Sequence, residues 1–222
     1  MSSGSKRIVV GLGEAEYRAW SFDAAKRQNI LESACEDAKQ AGCSGLDIRS
    51  PRGELLIELK VGPLKIYVAS SWRNTHQAEV VKRLREDGHD VYDFRNPKPG
   101  DHGFSWEEID VGWLSWTPER FAEALKHPIA QEGFKSDMDA LSACDACVLV
   151  LPCGRSAHLE AGWAIGAGKP TIIYAWKLPE PELMYLMAGR SPLVHSIEDV
   201  QMWLSRRFGC GRGWSLLSPM KE

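Results

Sequence analysis

Cys147-Val-Leu-Val-Leu-Pro-Cys-Gly-Arg-Ser-Ala-His-Leu-Glu-Ala-Gly-Trp-Ala-Ile-Gly-Ala-Gly-Lys-Pro-Thr-Ile-Ile-Tyr-Ala-Trp176 is the stretch that decides the fold. Its first five residues form a short, unbroken apolar run, which reads as a strand buried on both faces. Residues 157–167 follow as a helix, and Thr171-Ile-Ile-Tyr-Ala-Trp reads as a further strand. Strand, helix and strand in this order imply a parallel sheet covered on both faces.

Upstream the same alternation continues. Lys65-Ile-Tyr-Val-Ala-Ser reads as a strand, residues 77–86 as a helix stopped by Gly88, and His89-Asp-Val-Tyr-Asp-Phe as a short strand. A long polar and aromatic stretch, 95–116, precedes helical segments near 118–126 and 133–142. Downstream, 179–208 reads as two amphipathic helices around Leu193-Val-His, and the residues from Gly209 as a loose tail. The expected class is α/β, a doubly wound, mainly parallel, flavodoxin-like sheet. Residues 7–60 carry a separate β-α-β-β pattern, closed by the break Val61-Gly62-Pro63. The expected division is a small α+β unit over 1–62, the main domain over 63–208 and the tail over 209–222.

With 222 residues, 44% apolar and 26% charged, the chain is long enough for one main domain and a small appendage. No apolar run approaches the roughly 20 residues of a spanning helix, so no membrane role is expected. The opening Met1-Ser-Ser-Gly-Ser-Lys-Arg has no apolar signal segment, which places the protein in the cytoplasm as an expectation. A net charge of −3 gives no global basic field, and a nucleic acid polymer is not an expected partner. The six cysteines read as reduced thiols. Cys144-Asp-Ala-Cys147 has zinc-like spacing, but its second cysteine lies in the apolar run and no second pair follows, so no metal is expected. Val10-Gly-Leu-Gly follows a strand, yet Glu16 stands where a dinucleotide fingerprint needs its third glycine, and no cofactor is expected.

Ligands of parallel sheets bind at the carboxyl ends of the strands. Two unusual loops fall there: Ser70-Ser-Trp-Arg73 after one strand, and Gly154-Arg-Ser156 after another. Ser156 sits where a helix cap would, so backbone N–H groups there can hold an anion or a sugar oxygen. Glu160 lies one turn inside the helix, facing the strand ends in a partly apolar setting that raises a carboxyl pKa. The structural alternative is a capping box or a solvent-facing Glu160. Arg73, Arg155 and Ser156 suit phosphate oxygens, against the alternative of solvated surface charge. Trp106, Trp113 and Trp116 read either as a lid that stacks on a base or as a helical subcore. His158 reads as a structural or surface histidine, and no Gly-x-Ser-x-Gly elbow supports a triad of Ser156, His158 and Asp137.

Three separated pieces resemble the nucleoside 2-deoxyribosyltransferase superfamily, which includes deoxyribonucleoside 5'-monophosphate N-glycosidases. They are Lys65-Ile-Tyr-Val-Ala-Ser-Ser-Trp-Arg, Asp137-Met-Asp-Ala-Leu-Ser-Ala-Cys-Asp-Ala-Cys-Val-Leu-Val, and Glu160-Ala-Gly-Trp-Ala-Ile-Gly followed by Gly168-Lys-Pro. The resemblance covers about 64–176. It implies Glu160 as nucleophile, Asp137 as the group that holds the sugar and helps protonate the base, Tyr67 as the residue that orients the glutamate, and Ser71 with Arg73 as a phosphate grip. It further implies a small-molecule nucleoside or nucleotide ligand, no cofactor, and a homodimer or larger homo-oligomer. The chain departs from the family in the longer aromatic stretch 93–126 and in the amino-terminal unit, which has no counterpart there. Cleavage of the N-glycosidic bond of NAD, and a non-catalytic nucleotide-sensing module, are the alternative functions.

Overall fold

The computed structural model describes residues 7–60, 62–177, 180–189 and 193–208. The tail expected from 209 lies outside them. The described residues divide into two compact units, those up to 63 together with 201–208, and those of 64–200.

In the first unit, β1 (Arg7–Gly11) is followed by α1 (Glu14–Phe22), α2 (Ala24–Gln40), β2 (Gly45–Arg49) and β3 (Leu55–Lys60). β1 pairs parallel and β3 antiparallel with β2. The sequence pattern lacked α1. There Gly11 ends β1 and Gly13 is the N-cap of α1, the Glu16 carboxylate accepting from the Gly13 N–H at 2.8 Å. Leu31, Ala38, Leu46 and Ile48 centre a core of their own.

The second unit is an α/β domain with a flavodoxin-like parallel sheet. Its strands are β4 (Lys65–Ala69), β5 (Asp90–Tyr92), β6 (Ala146–Leu151), β7 (Thr171–Ala175) and β8 (Leu193–Val194). They lie in the order β5-β4-β6-β7-β8, all parallel. Its helices are α3 (Gln77–Glu86), α4 (Pro118–Ala124), α5 (Pro128–Ala143) and α6 (Arg155–Gly166), and α7 (Ile197–Phe208) straddles the boundary of the units.

Alternation along the strands builds both layers. Tyr67, Ala69, Cys147, Leu149, Leu151 and Ile173 form one core with Leu141 of α5 and with Ala157, Ala161 and Ala164 of α6. The small residues of α6 let that helix sit close to the sheet. On α3 the buried positions Gln77, Val80, Val81 and Leu84 keep the helical i, i+3, i+4, i+7 spacing. Leu141 is fully buried. Leu141→Ala is expected to lower stability by about 2–5 kcal/mol, seen as a reduced urea midpoint with an unchanged slope.

Three boundaries differ from the sequence pattern. α5 starts at Pro128 rather than near 133, because proline at the first helical position has no N–H to lose. α6 starts at Arg155 with Gly154 as N-cap, so Ser156 is inside the helix and caps nothing. Leu193–Val194 form a strand, pairing with the open edge of β7 at Ile173 and Tyr174; of the two helices expected over 179–208, α7 is the α-helix among the described residues, beside a 3-10 turn at Leu183–Ala188.

Candidate functional site

The order β5-β4-β6 puts a topological switch point between β4 and β6, where the connections leave in opposite directions and open a crevice at the carboxyl ends. The loop after β4 is fastened to β6 across this gap. Ser70 Oγ donates to the Val150 carbonyl at 2.9 Å, and Asn74 Nδ2 donates to the carbonyls of Val150 and Pro152 at 3.1 and 3.0 Å. Arg95 Nη2 donates to the carbonyls of Ser71, Trp72 and Asn74 at 2.8, 2.9 and 2.9 Å. Asn74 and Arg95 thus hold the loop shape. Neither belongs to a motif, and no sequence signal marked them.

A cleft of about 620 Å³ opens over this crevice. Ser70, Ser71, Trp72 and Arg73 line one side, Gly154, Ser156, Ala157 and Glu160 another, and Asp137 a third. Arg155 is not among them. It lines a separate, largely apolar depression of about 810 Å³ with His158, Leu159 and Gly162. The helical period explains the split: residues 156, 157 and 160 share one face of α6, whereas 155, 158, 159 and 162 share another. His158 stays on that far face, where its Nε2 lies 3.0 Å from the Tyr185 hydroxyl and its Nδ1 2.8 Å from the Gly154 carbonyl oxygen.

The aromatic stretch supplies the remaining wall through Phe94, Phe104, Trp106 and Trp113. Trp106 meets Phe104, Trp116 and Phe121 edge-on, with ring centroids 4.7, 5.6 and 5.6 Å away. The Trp116 indole donates to Asp110 Oδ2 at 2.7 Å, which stabilises the carboxylate and lowers its pKa. Phe104 and Trp106 therefore belong both to the cleft wall and to an aromatic cluster, whereas Trp116 and Phe121 belong to the cluster alone. Two glycines allow the approach. Gly103 has φ +72°, and a Cβ there would come 2.1 Å from the Phe94 carbonyl oxygen. A Cβ on Gly133 would meet Phe104 at 2.9 Å.

The carboxylates are held unequally. Glu160 comes from α6 and is partly buried, and loss of hydration followed by repulsion from Asp137 pushes its pKa up to about 7. Asp137, from α5, is also raised by desolvation, but the Tyr92 hydroxyl opposes this by donating to Asp137 Oδ1 at 2.8 Å. Tyr67 is fully buried beneath the cleft and does not line it. Its hydroxyl is close enough to Glu160 to favour the charged carboxylate, yet completes no hydrogen bond and is left as an orphaned buried polar group. Burial and the neighbouring carboxylates raise its own pKa strongly.

No protein-family model matches the chain, and no curated protein matches it. One solved structure similar to it is a 2-deoxyribosyltransferase of the psychrotolerant bacterium Bacillus psychrosaccharolyticus. The identity is 20%, over 61% of this chain and 88% of that one, with a TM-score of 0.39.

No group of three or more histidine, cysteine, aspartate or glutamate side chains that could hold a metal occurs among the described residues. Cys144 and Cys147 are buried free thiols, and desolvation raises both pKa values. Among the described residues, no helix is long and apolar enough to cross a membrane. Chemically, the cleft offers two partly desolvated carboxyl groups, aromatic faces for a flat ring, and Ser71, Ser156 and Arg73 as polar groups.

Proposed function

We propose that the 64–200 unit cleaves or transfers the N-glycosidic bond of a nucleoside or nucleoside 5'-monophosphate, with Glu160 as nucleophile and Asp137 as proton donor. The observation that carries this reading is the pair of unequally held carboxylates in one aromatic-walled cleft. Glu160 attacks the anomeric carbon, the C–N bond breaks with its electron pair passing to the base nitrogen, and the Asp137 proton neutralises the departing base. Water or a second base then attacks the same carbon, gives its proton to Asp137 and frees Glu160.

The two groups titrate as a pair. Desolvation and mutual repulsion keep one proton in the cleft up to a pH of about 7. In the empty cleft it rests mainly on Glu160. Positive charge developing at the anomeric carbon stabilises ionised Glu160 and shifts the proton to Asp137, where the reaction needs it. The aromatic wall suits the base, and Ser71 with Arg73 suits the 5' end of the sugar. Exposed Leu159 on α6, with exposed Leu183 and Leu186 on the 3-10 turn at Leu183–Ala188, fits the homo-oligomer that the resemblance implies.

The test is chromatography for free base after incubation with ribo- and deoxyribonucleosides, their 5'-monophosphates and NAD, with and without an acceptor base. Release from a nucleoside or monophosphate is the expected result, and exchange with the acceptor marks transfer. Tight binding with no release from any compound would leave a sensing module as the better reading. Release from NAD alone would move the substrate class to dinucleotides.

A further inference from the structure

Tyr92 is next to Tyr67 across the parallel pair β4 and β5, where the two are register partners. Their rings stack with centroids 5.3 Å apart and planes 15° from parallel. Tyr92 is half-buried, packs against the sheet core and carries its hydroxyl to α5. There its Oη lies 2.8 Å from Asp137 Oδ1 and 3.1 Å from Ser136 Oγ. The stack and the adjoining serine fix the direction of the hydroxyl, so one oxygen of Asp137 is engaged from behind and Oδ2 is left for the cleft.

We propose that Tyr92, supported by Ser136, is the positioning residue that fixes which oxygen of Asp137 faces the substrate and carries the transferable proton. The proposal rests on the N-glycosidic reading for its meaning in catalysis. A carboxyl group free to rotate offers its proton in two orientations and through either oxygen. With Oδ1 accepting from Tyr92, the proton of neutral Asp137 resides on Oδ2, and proton transfer to the base starts from one geometry. The bond also stabilises ionised Asp137, since a hydrogen bond donated to a charged acceptor is stronger than one to a neutral acceptor. This opposes the desolvation that raises the Asp137 pKa.

The other titratable groups around Asp137 are Glu160 on α6, Tyr67 on β4, and Lys98, Asp101, Glu108 and Glu132, which line an adjoining cavity of about 270 Å³ on the Tyr92 side. Only Tyr92 donates a described hydrogen bond to the Asp137 carboxylate. Removing that donor therefore has a direction different from the removal of any of the acidic neighbours: it raises the Asp137 pKa, whereas their loss lowers it.

The test is carbon-detected NMR titration of the aspartate side-chain carboxyls in the full chain, with Asp137 assigned by Asp137→Asn, for the wild type and Tyr92→Phe. The phenyl ring keeps the stack and the packing. Asp137 is expected to titrate about one pH unit higher in Tyr92→Phe. The turnover number for base release should fall about tenfold or more with little change in KM, and the upper limb of the pH profile should move upward with the carboxyl. Ser136→Ala should produce the same shift in the same direction at smaller size, and it decides the matter if Tyr92→Phe does not fold. An Asp137 titration within about 0.2 unit of wild type, roughly a fifth of the expected shift, in the folded variants would overturn the proposal whatever the activity. A shifted titration in a protein whose wild type releases no base would support the positioning contact and instead reject the N-glycosidic reading.

Discussion

Glu160→Gln is expected to abolish base release, by a factor on the order of 10³ or more in kcat/KM, while nucleotide binding persists. Glutamine keeps the shape of the side chain on α6 and its place in the cleft, but it cannot form the ester to the anomeric carbon. Single-turnover chromatography beside equilibrium binding separates the two effects. A variant that binds and turns over like the wild type would end the role assigned to Glu160. Stability should move in the opposite direction to activity. Because the folded protein holds the Glu160 proton up to a pH of about 7, against 4.5 for the ordinary group, between these values the native state binds more protons than the unfolded one. Stability from this group is therefore full at low pH and falls as pH rises through that window. Above it, burying the charge costs on the order of 3 kcal/mol as an upper figure, since part of the upward shift comes from repulsion by Asp137. Thermal melts should show Glu160→Gln several degrees above wild type at pH 8 and close to it at pH 4. Equal differences at both pH values would show that Glu160 is not desolvated.

Asp137→Asn should lower base release by about 10²- to 10⁴-fold for nucleosides with neutral bases, because the departing base then receives no positioned proton. A nucleoside whose base already carries positive charge, such as an N7-methylated purine, needs no proton to leave, so its cleavage should fall far less. The same variant removes the repulsion that helps raise Glu160, and the titration of Glu160 should return toward the ordinary carboxylate range. For the wild type a bell-shaped pH profile is expected, rising as the pair loses its first proton and falling above about 7 as the last one leaves. In Asp137→Asn the descending limb should disappear. Equal losses on neutral and cationic bases would argue that Asp137 holds the sugar without supplying a proton.

Much of the fold was legible because its signal is local. The buried runs at 147–151 and 171–176, and the strand at 65–69, are written in consecutive residues, and a strand covered on both faces has no other way to appear in a sequence. The helix carrying Glu160 follows from the same stretch. Elsewhere the local pattern fell short: the helix expected near 133 starts at Pro128, the two residues of β8 are too few to have a period, and α1 follows Gly13 with no apolar period strong enough to announce it.

The sequence by itself determined which loops carry the unusual residues, and that Ser71, Trp72 and Arg73 and the start of the helix bearing Glu160 follow strands at the carboxyl edge of a parallel sheet; Asp137 was marked by the family resemblance alone. Only the tertiary structure decided their company. The phase of α6 turned Ser156 toward the cleft and Arg155 away from it, a difference of one residue and about 100°. Strand pairing placed Tyr92 against Tyr67 and beneath Asp137, although 25 and 45 positions separate these residues in the chain. Arg95 and Asn74 act on backbone carbonyls, which every residue possesses, so no side-chain motif announces them. Burial that raises a carboxyl pKa comes from several elements at once, which is why the unequal protonation of Glu160 and Asp137 exists only in the folded chain.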